Sequence, residues 1–279
     1  MFRFLIFFGL VACATPFFFD SEPKPRNEKL SYKFDIVNGF YSLPVTLEAA
    51  KKEGYELVQG PTHPGYSQLN GMWVKKDQEC LLIGLYYDEN ERVAAVQVNQ
   101  IEDKVFSYFD VIKQGFKKWT YNSVDYLYIT IYLVGEDGQN HSDSYSSTKV
   151  LRDPYLRVAS FDGSLDKIAT NSREIDSVWT KQACIMMMGR HYYYKMTPDL
   201  SCDEPFHPWF PLYDESTTQM IGVGLMFLGQ SQCNLEKPDV NVVKMIVPTA
   251  PQCLYDLVEK YGASTLHIYF VDHPRLISC

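Results

Sequence analysis

Residues 80 to 98, CLLIGLYYDENERVAAVQV, decide the reading of the fold. An apolar run, a polar turn from Asp88 to Arg92 and a second run rich in valine predict a β-hairpin. The layout recurs at residues 209 to 227, WFPLYDESTTQMIGVGLMF, where Tyr213-Asp214-Glu215 matches Tyr87-Asp88-Glu89. Beyond each hairpin, apolar residues fall at helical spacing: Phe109, Ile112, Phe116 and Trp119 in one place, Leu254, Leu257, Val258 and Tyr261 in the other. A strand then follows each, YLYITIYL at 126 to 133 and LHIYFV at 266 to 271. Hairpin, helix and strand in the same order twice predict an α+β protein of two related halves with mixed or antiparallel sheets. The halves span residues 15–134 and 148–279 of one compact unit, and the polar stretch 135–147 is an exposed connection. A short helix at TLEAAKKEG, capped by Thr46 and stopped by Gly54, precedes the first hairpin.

The N-terminus reads Met1-Phe2-Arg3, an apolar run to Val11 and Ala12-Cys13-Ala14, the pattern of a signal peptide over residues 1–14. The run is too short to span a membrane, and later apolar segments are broken by charge or glycine. Export gives the cysteines meaning, because the secretory route permits disulfides. Six remain after the leader: Cys80, Cys184, Cys202, Cys233, Cys253 and Cys279. Their pairing stays open, but five lie beyond residue 180, so if all pair, Cys80 reaches across to the second half. Asn140-His141-Ser142 is a glycosylation sequon within the polar connection. The net charge of −8 argues against nucleic acid or anionic lipid as the main partner, since both require a basic surface. At 46% hydrophobic and 15% aromatic, the chain has ample material for a core.

Side-chain chemistry yields candidates rather than a reaction. In YLYITIYL, Leu127, Ile129, Ile131 and Leu133 share a core face. Tyr126, Tyr128 and Tyr132 share the opposite face, suited either to packing or to binding. The segment ACIMMMGRHYYYKMTPDLSC, residues 183 to 202, carries thioether and imidazole groups of the kind copper prefers. As a strand, however, it holds Met187 and His191 about 13 Å apart, so methionines filling a core are the plainer reading. In the same strand His191 shares a face with Tyr193 and Lys195, which predicts a partly exposed imidazole. DEPFHPWFPLYDE, residues 203 to 215, presents His207 and Trp209 in an extended, proline-bracketed segment: a recognition patch if exposed, the strand entering the second hairpin if buried. Asp88 and Asp214 read as turn residues that satisfy their own backbone. The chain lacks a nucleophile elbow, a zinc helix, a P-loop and a dinucleotide fingerprint.

The order Cys184, Met188-Gly189-x-His191-Tyr192, Cys202, with LPVTLEAAKKEGY at 43 to 55, resembles a loosely defined set of uncharacterised secreted proteins of invertebrates. That resemblance implies secretion and brings no catalytic residues. The expected function is a secreted binding or interaction protein, of the venom, salivary or matrix kind, acting without a cofactor on an extracellular protein or small ligand through Tyr126, Tyr128, Tyr132, His191, His207 and Trp209. The alternative is a secreted copper-dependent oxidoreductase using His191, His207 and Met187.

Overall fold

The structure, a computed structural model, describes residues 29–33, 39–69, 71–75, 81–136 and 149–279. The predicted leader at 1–14, Cys80 and Asn140 lie outside the described residues. The chain lays down β1 (Leu30–Lys33), β2 (Phe40–Leu43), helix α1 (Leu47–Lys52), β3 (Glu56–Val58), β4 (Met72–Val74) and β5 (Leu81–Tyr87). Next come β6 (Val93–Ile101), β7 (Val105–Ser107), β8 (Lys117–Tyr121), β9 (Val124–Tyr132), β10 (Tyr155–Ala159) and β11 (Leu165–Ala169). The chain ends with β12 (Trp179–Ile185), β13 (Gly189–Tyr194), β14 (Trp209–Tyr213), β15 (Met220–Ser231), α2 (Val240–Ile246), α3 (Gln252–Tyr261) and β16 (Ala263–Tyr269).

These strands form two antiparallel sheets. The first runs β12-β13-β14-β15-β16-β1-β2, with β7 on the end of β15, and the second runs β11-β10-β9-β6-β5-β4-β3, with β8 on β9. Sixteen strands and three short helices among the described residues make a mostly β protein, which overturns the α+β expectation. The failure is local and physical. The helical period at Phe109, Ile112, Phe116 and Trp119 makes no helix: residues 111–115 form turns and Lys117–Tyr121 pairs with β9. Gly115, at φ 96°, presses so close to Ser160 that a Cβ would stand 2.3 Å from its carbonyl oxygen. The second period is a helix, α3. Thr46 caps α1 as the sequence predicts, its hydroxyl accepting from Ala49 N–H at 3.3 Å.

Both sheets contain a run of five neighbouring strands in chain order, β3-β4-β5-β6-β9, with β7 and β8 falling between its last two, and β12-β13-β14-β15-β16, each extended by a two-stranded arm. The arm on β9 is β10–β11, whereas the arm on β16 is β1–β2 from the start of the chain. Details at the hairpins correspond as well. Tyr87 and Tyr213, each beside a register shift, donate their hydroxyls to Pro44 O (2.9 Å) and Ala169 O (2.6 Å), at the ends of β2 and β11. Isolated bridges join Thr46 to Arg92 and Asn171 to Gln219, and the turns place Glu91 and Thr218 at φ 57° and 63°.

Strand alternation distributes the apolar residues among three clusters. The inner faces meet in one core, with Leu85, Val96, Ile129 and Ile131 from the second sheet against Trp209, Leu225, Leu266 and Ile268 from the first. The outer face of the first sheet packs under α2 and α3, burying Leu254 and Val258. The outer face of the second is covered by the segment carrying Tyr66 and Leu69. Disulfides Cys184–Cys279 and Cys202–Cys253 bind the C-terminus to β12 and the 197–206 loop to α3. Cys233 is also disulfide-bonded, to a partner outside the described residues.

Candidate functional site

The predicted site residues separate into three places. Tyr126, Tyr128 and Tyr132 stand on the outer face of the second sheet, and most of that face is packed. Tyr132 stacks on Tyr66 (3.9 Å) and hydrogen-bonds His63 Nδ1 (2.8 Å), Tyr128 is buried, and only Tyr126, beside Trp119 and Tyr121, borders solvent. Burial, then nearby Lys117, pulls the His63 pKa down to about 4.

His191 and His207 belong to opposite sides of the first sheet. His191 contacts Phe210 and Tyr193 on the outer side, whereas His207 contacts Trp179 and Tyr194 on the core side. Met187 sits at the β12–β13 turn at φ 65°, partly exposed, beside Met186 at 71% exposure. The copper set His191, His207 and Met187 is therefore not assembled. Among the described residues no three His, Cys, Asp or Glu side chains converge to hold a metal ion. His191 is fully buried, which corrects the expected partial exposure: alternation put it on a polar-looking face, but α2 and α3 cover that face. Trp209 is fully buried too, its indole N–H donating to Ala159 O at 2.8 Å.

His207 remains at a surface feature. A cleft of ≈ 540 Å³ opens between Phe161, the Tyr194–Lys195 end of β13, the 200–206 loop and Lys113. Its floor is aromatic: the His207 ring lies 4.8 Å from Trp179, 5.2 Å from Tyr194 and 5.4 Å from Phe161. His207 Nε2 donates to Asp166 Oδ2 at 2.9 Å. That bond, reinforced by Ser160, holds the Asp166 carboxyl below its usual range despite partial burial. Both ring nitrogens are engaged, Nδ1 with the Trp209 backbone at 3.1 Å, so the imidazole is a fixed wall rather than a poised base. Ser201, also at the cleft, gives its hydroxyl proton to Asp203 (2.6 Å) and not to a histidine.

The rim supplies charge. Lys195 takes φ 51° at the strand end, which swings its Nζ over the Tyr194 ring at 5.2 Å, and Lys113 faces it from the 110–115 turn, with Glu204 as the acidic member. The wall is braced by the Gln114 amide, which donates to Phe206 O at 2.8 Å, and by the Cys202–Cys253 bridge. From Phe206 the aromatic surface continues outward through Phe109 (5.6 Å) to Tyr108 and Tyr261, stacked at 4.7 Å, and Phe106. Phe106 and Tyr108 are 55% and 41% exposed, so a ledge of rings leads into the cleft.

The sequence pointed to His207 in this site but missed Phe161, Tyr194, Lys195 and Asp166. They lie on three other elements and meet only through the packing of β10–β11 beneath β13–β14. No family model, curated protein or solved structure matches the chain.

Proposed function

We propose that the protein is a secreted binding protein whose ligand sits in the His207 cleft, and that the ligand is a small extracellular molecule with a planar or apolar body and an anionic group. One observation carries this reading: an open cleft of ≈ 540 Å³ walled by the rings of Phe161, Tyr194, Phe206 and His207, with Lys113 and Lys195 at its mouth. Rings offer a flat apolar contact, and the ammonium groups favour a carboxylate or sulfonate. Binding is favoured over catalysis because both nitrogens of the cleft imidazole are held by protein partners. Titration with the fluorescent probe anilinonaphthalene sulfonate tests the reading. Lys113→Ala/Lys195→Ala and Phe161→Ala should each weaken its binding several-fold. Equal affinity in wild type and both variants would refute the cleft as the site.

Secretion and a glycan at Asn140 belong to the same proposal. Disulfides are compatible with it, as is the finding that no described helix is long and apolar enough to cross a membrane. Loss of mass on glycosidase treatment of protein secreted from eukaryotic cells is the check. We also read the matching strand orders, the Tyr87 and Tyr213 hydroxyl bonds and the two isolated bridges as support for duplication of one unit.

A further inference from the structure

On the outer side of the first sheet, beneath α2 and α3, lies a cavity of ≈ 40 Å³. One water needs ~10–15 Å³, so the space suits a single atom or a couple of waters and no larger molecule. Val243, Leu254 and Val258 make apolar walls, and Met188 and Met226 bring thioethers to them. Phe210 forms part of the floor, lying flat across β15 only because residue 224 is glycine; a Cβ there would stand 1.9 Å from the ring. His191, His267, Glu236 and Thr265 interrupt this lining.

Most of these polar atoms are already engaged. Glu236 Oε2 stands 2.6 Å from His267 Nδ1 and accepts the Thr265 hydroxyl at 3.2 Å, while Lys33 Nζ lies 3.2 Å from Oε1. The carboxylate charge is thus matched within the protein, and the carboxylate serves to fix the His267 ring. His191 Nδ1 is 3.1 Å from Gly189 O and 3.3 Å from Ala183 O. Carboxylate and carbonyl oxygens only accept, so Nδ1 carries a proton in both rings. Burial, then the neighbouring His267, lowers the His191 pKa to about 3 and keeps that ring neutral. The opposite nitrogens, His191 Nε2 and His267 Nε2, are buried and have no protein partner.

Strand order aims those two nitrogens. Ala183 belongs to β12 and Lys33 to β1, the strands flanking the β13–β16 block whose two outermost members carry the histidines. Each Nδ1 is therefore turned outward and each Nε2 inward, across Phe210, whose ring is 5.7 Å from one imidazole and 5.4 Å from the other. The imidazole centres are 6.2 Å apart. Two imidazoles sharing one ion at ~2 Å from each nitrogen have centres about 6 Å apart when nitrogen, ion and nitrogen are in line. The supports match as well, since a metal-ligating histidine almost always gives its other N–H to a carboxylate or a backbone carbonyl.

We infer that His191 Nε2 and His267 Nε2 hold a single copper(I) ion in this cavity, with the Met188 and Met226 thioethers as further soft ligands. Imidazole and thioether groups favour copper(I). All four ligands are neutral, and the cost of burying an ion rises steeply with its charge, which sets a monovalent ion above zinc or copper(II). The set shares only His191 with the copper ligands expected from the sequence. It is independent of the cleft, which lies on the other side of the sheet.

The probe is copper(I) itself, offered anaerobically to the full chain in competition with a chromogenic copper(I) chelator, and the imidazole nitrogen resonances give the local readout. One ion per chain should bind and shift both His191 Nε2 and His267 Nε2. His191→Phe should weaken binding about a hundredfold or more, and Met226→Leu, which keeps the side-chain volume, several-fold. Met186→Leu/Met187→Leu, which removes the thioethers of the exposed turn, should bind as wild type does. The inference is overturned if no copper(I) binds, the two lone pairs then being met by water, or if it binds without shifting both imidazoles. Loss of binding in Met186→Leu/Met187→Leu, or zinc bound more tightly than copper(I), would overturn it too. The nitrogen shifts need no variant and decide the matter even where His191→Phe fails to fold.

Discussion

The two sheets share a strand order and a common core, yet they cover their outer faces by different chemistry. Over its central strands the second sheet uses neutral groups, since Gln97 Nε2 donates to Asn99 Oδ1 (2.6 Å) while Tyr86 and Thr130 hydroxyls reach Gln97 Oε1 at 3.1 and 3.4 Å, and its buried ion pairs, Arg157–Asp153 (3.0 Å) and Arg152–Asp88, lie at the β10 arm and the β5–β6 turn. The first sheet buries charge over its central strands, with Glu236 between Lys33 and His267, and it alone carries α2, α3 and both described disulfides. Inner faces are constrained by each other, so they remain alike. Outer faces answer only to whatever lies over them, and the cleft and the cavity both arise around the sheet whose covering is more elaborate.

Charge removal should separate the sheets most sharply. Glu236→Ala strands Lys33 and His267 in an apolar interior, and breaking one member of a buried ion pair costs about 3–5 kcal/mol. Gln97→Ala, which leaves neutral partners unpaired, should cost about 1–3 kcal/mol. Urea denaturation of the two variants makes the comparison. A Glu236→Ala penalty no larger than that of Gln97→Ala would show that buried charge does not set the centres of the two outer faces apart.

Next in size is the staple of the cleft. Replacing Cys202 and Cys253 together by alanine should lower stability by about 2–4 kcal/mol, because the bridge closes a long loop. It should also weaken anilinonaphthalene sulfonate binding by loosening the 200–206 wall. A variant that is destabilised but binds the probe as well as wild type would detach the cleft from its disulfide. With Cys184–Cys279 and Cys202–Cys253 formed, Cys13 and Cys80 are the cysteines left for Cys233, and the proposed removal of Cys13 with a signal peptide favours Cys80. Non-reducing peptide mapping should recover the Cys80–Cys233 pair, and a free Cys80 thiol would break the link between the halves.

How much of this was legible in the sequence varies with how local the deciding contacts are. The hairpin turns at Asp88 and Asp214 are legible because each aspartate accepts from its own turn: Asn90 and Arg92 N–H in one, Ser216 and Thr217 N–H in the other. Thr46 at the start of α1 and the core face from Leu127 to Leu133 are legible for the same reason. Residues 109–119 were misread because an apolar period alone does not distinguish a helix from a turn followed by an edge strand. There β9 supplied the hydrogen bonds and Ser160 the close contact at Gly115. His191 was placed on the correct side of its strand, but its exposure depended on helices some fifty residues downstream. The cleft is the least legible feature, since it exists only where four separated segments meet.

Acid exposes a subtler difference. His63, over the outer face of the second sheet, and His191, in the first sheet, are buried with pKa values lowered to about 4 and about 3, against 6.5 unfolded. Below pH 6.5 the unfolded chain takes up protons that the folded one refuses, so stability falls by roughly 1.4 kcal/mol per pH unit for each histidine. The His63 contribution ends near pH 4 and that of His191 near pH 3. Glu236, whose carboxylate is held near 2 by His267 and Lys33 despite its burial, adds stability that is full above pH 4.5 and fades as pH falls toward 2. His191→Phe should therefore flatten the stability curve from pH 6.5 down to 3, and His63→Phe only down to 4. Identical curves for the two variants between pH 4 and 3 would contradict the deeper burial of His191.

The smallest effect bears most directly on whether the sheets are two versions of one unit. Tyr87 and Tyr213 occupy corresponding hairpin positions, are almost fully buried, and donate to backbone carbonyls at the ends of corresponding arms. Each Phe substitution deletes one hydroxyl and leaves one carbonyl without that donor, a loss of about 1 kcal/mol. Tyr213 is the more enclosed of the two and its bond the shorter, so Tyr213→Phe should cost slightly more. The sites lie in different sheets and share no partner, so the double variant should lose the sum within about 0.5 kcal/mol. Thermal or urea unfolding of the three variants measures this. If one hydroxyl proves silent while the other is worth a full kilocalorie, the correspondence is a likeness of backbone course, and the polar contacts of the two hairpins were acquired separately.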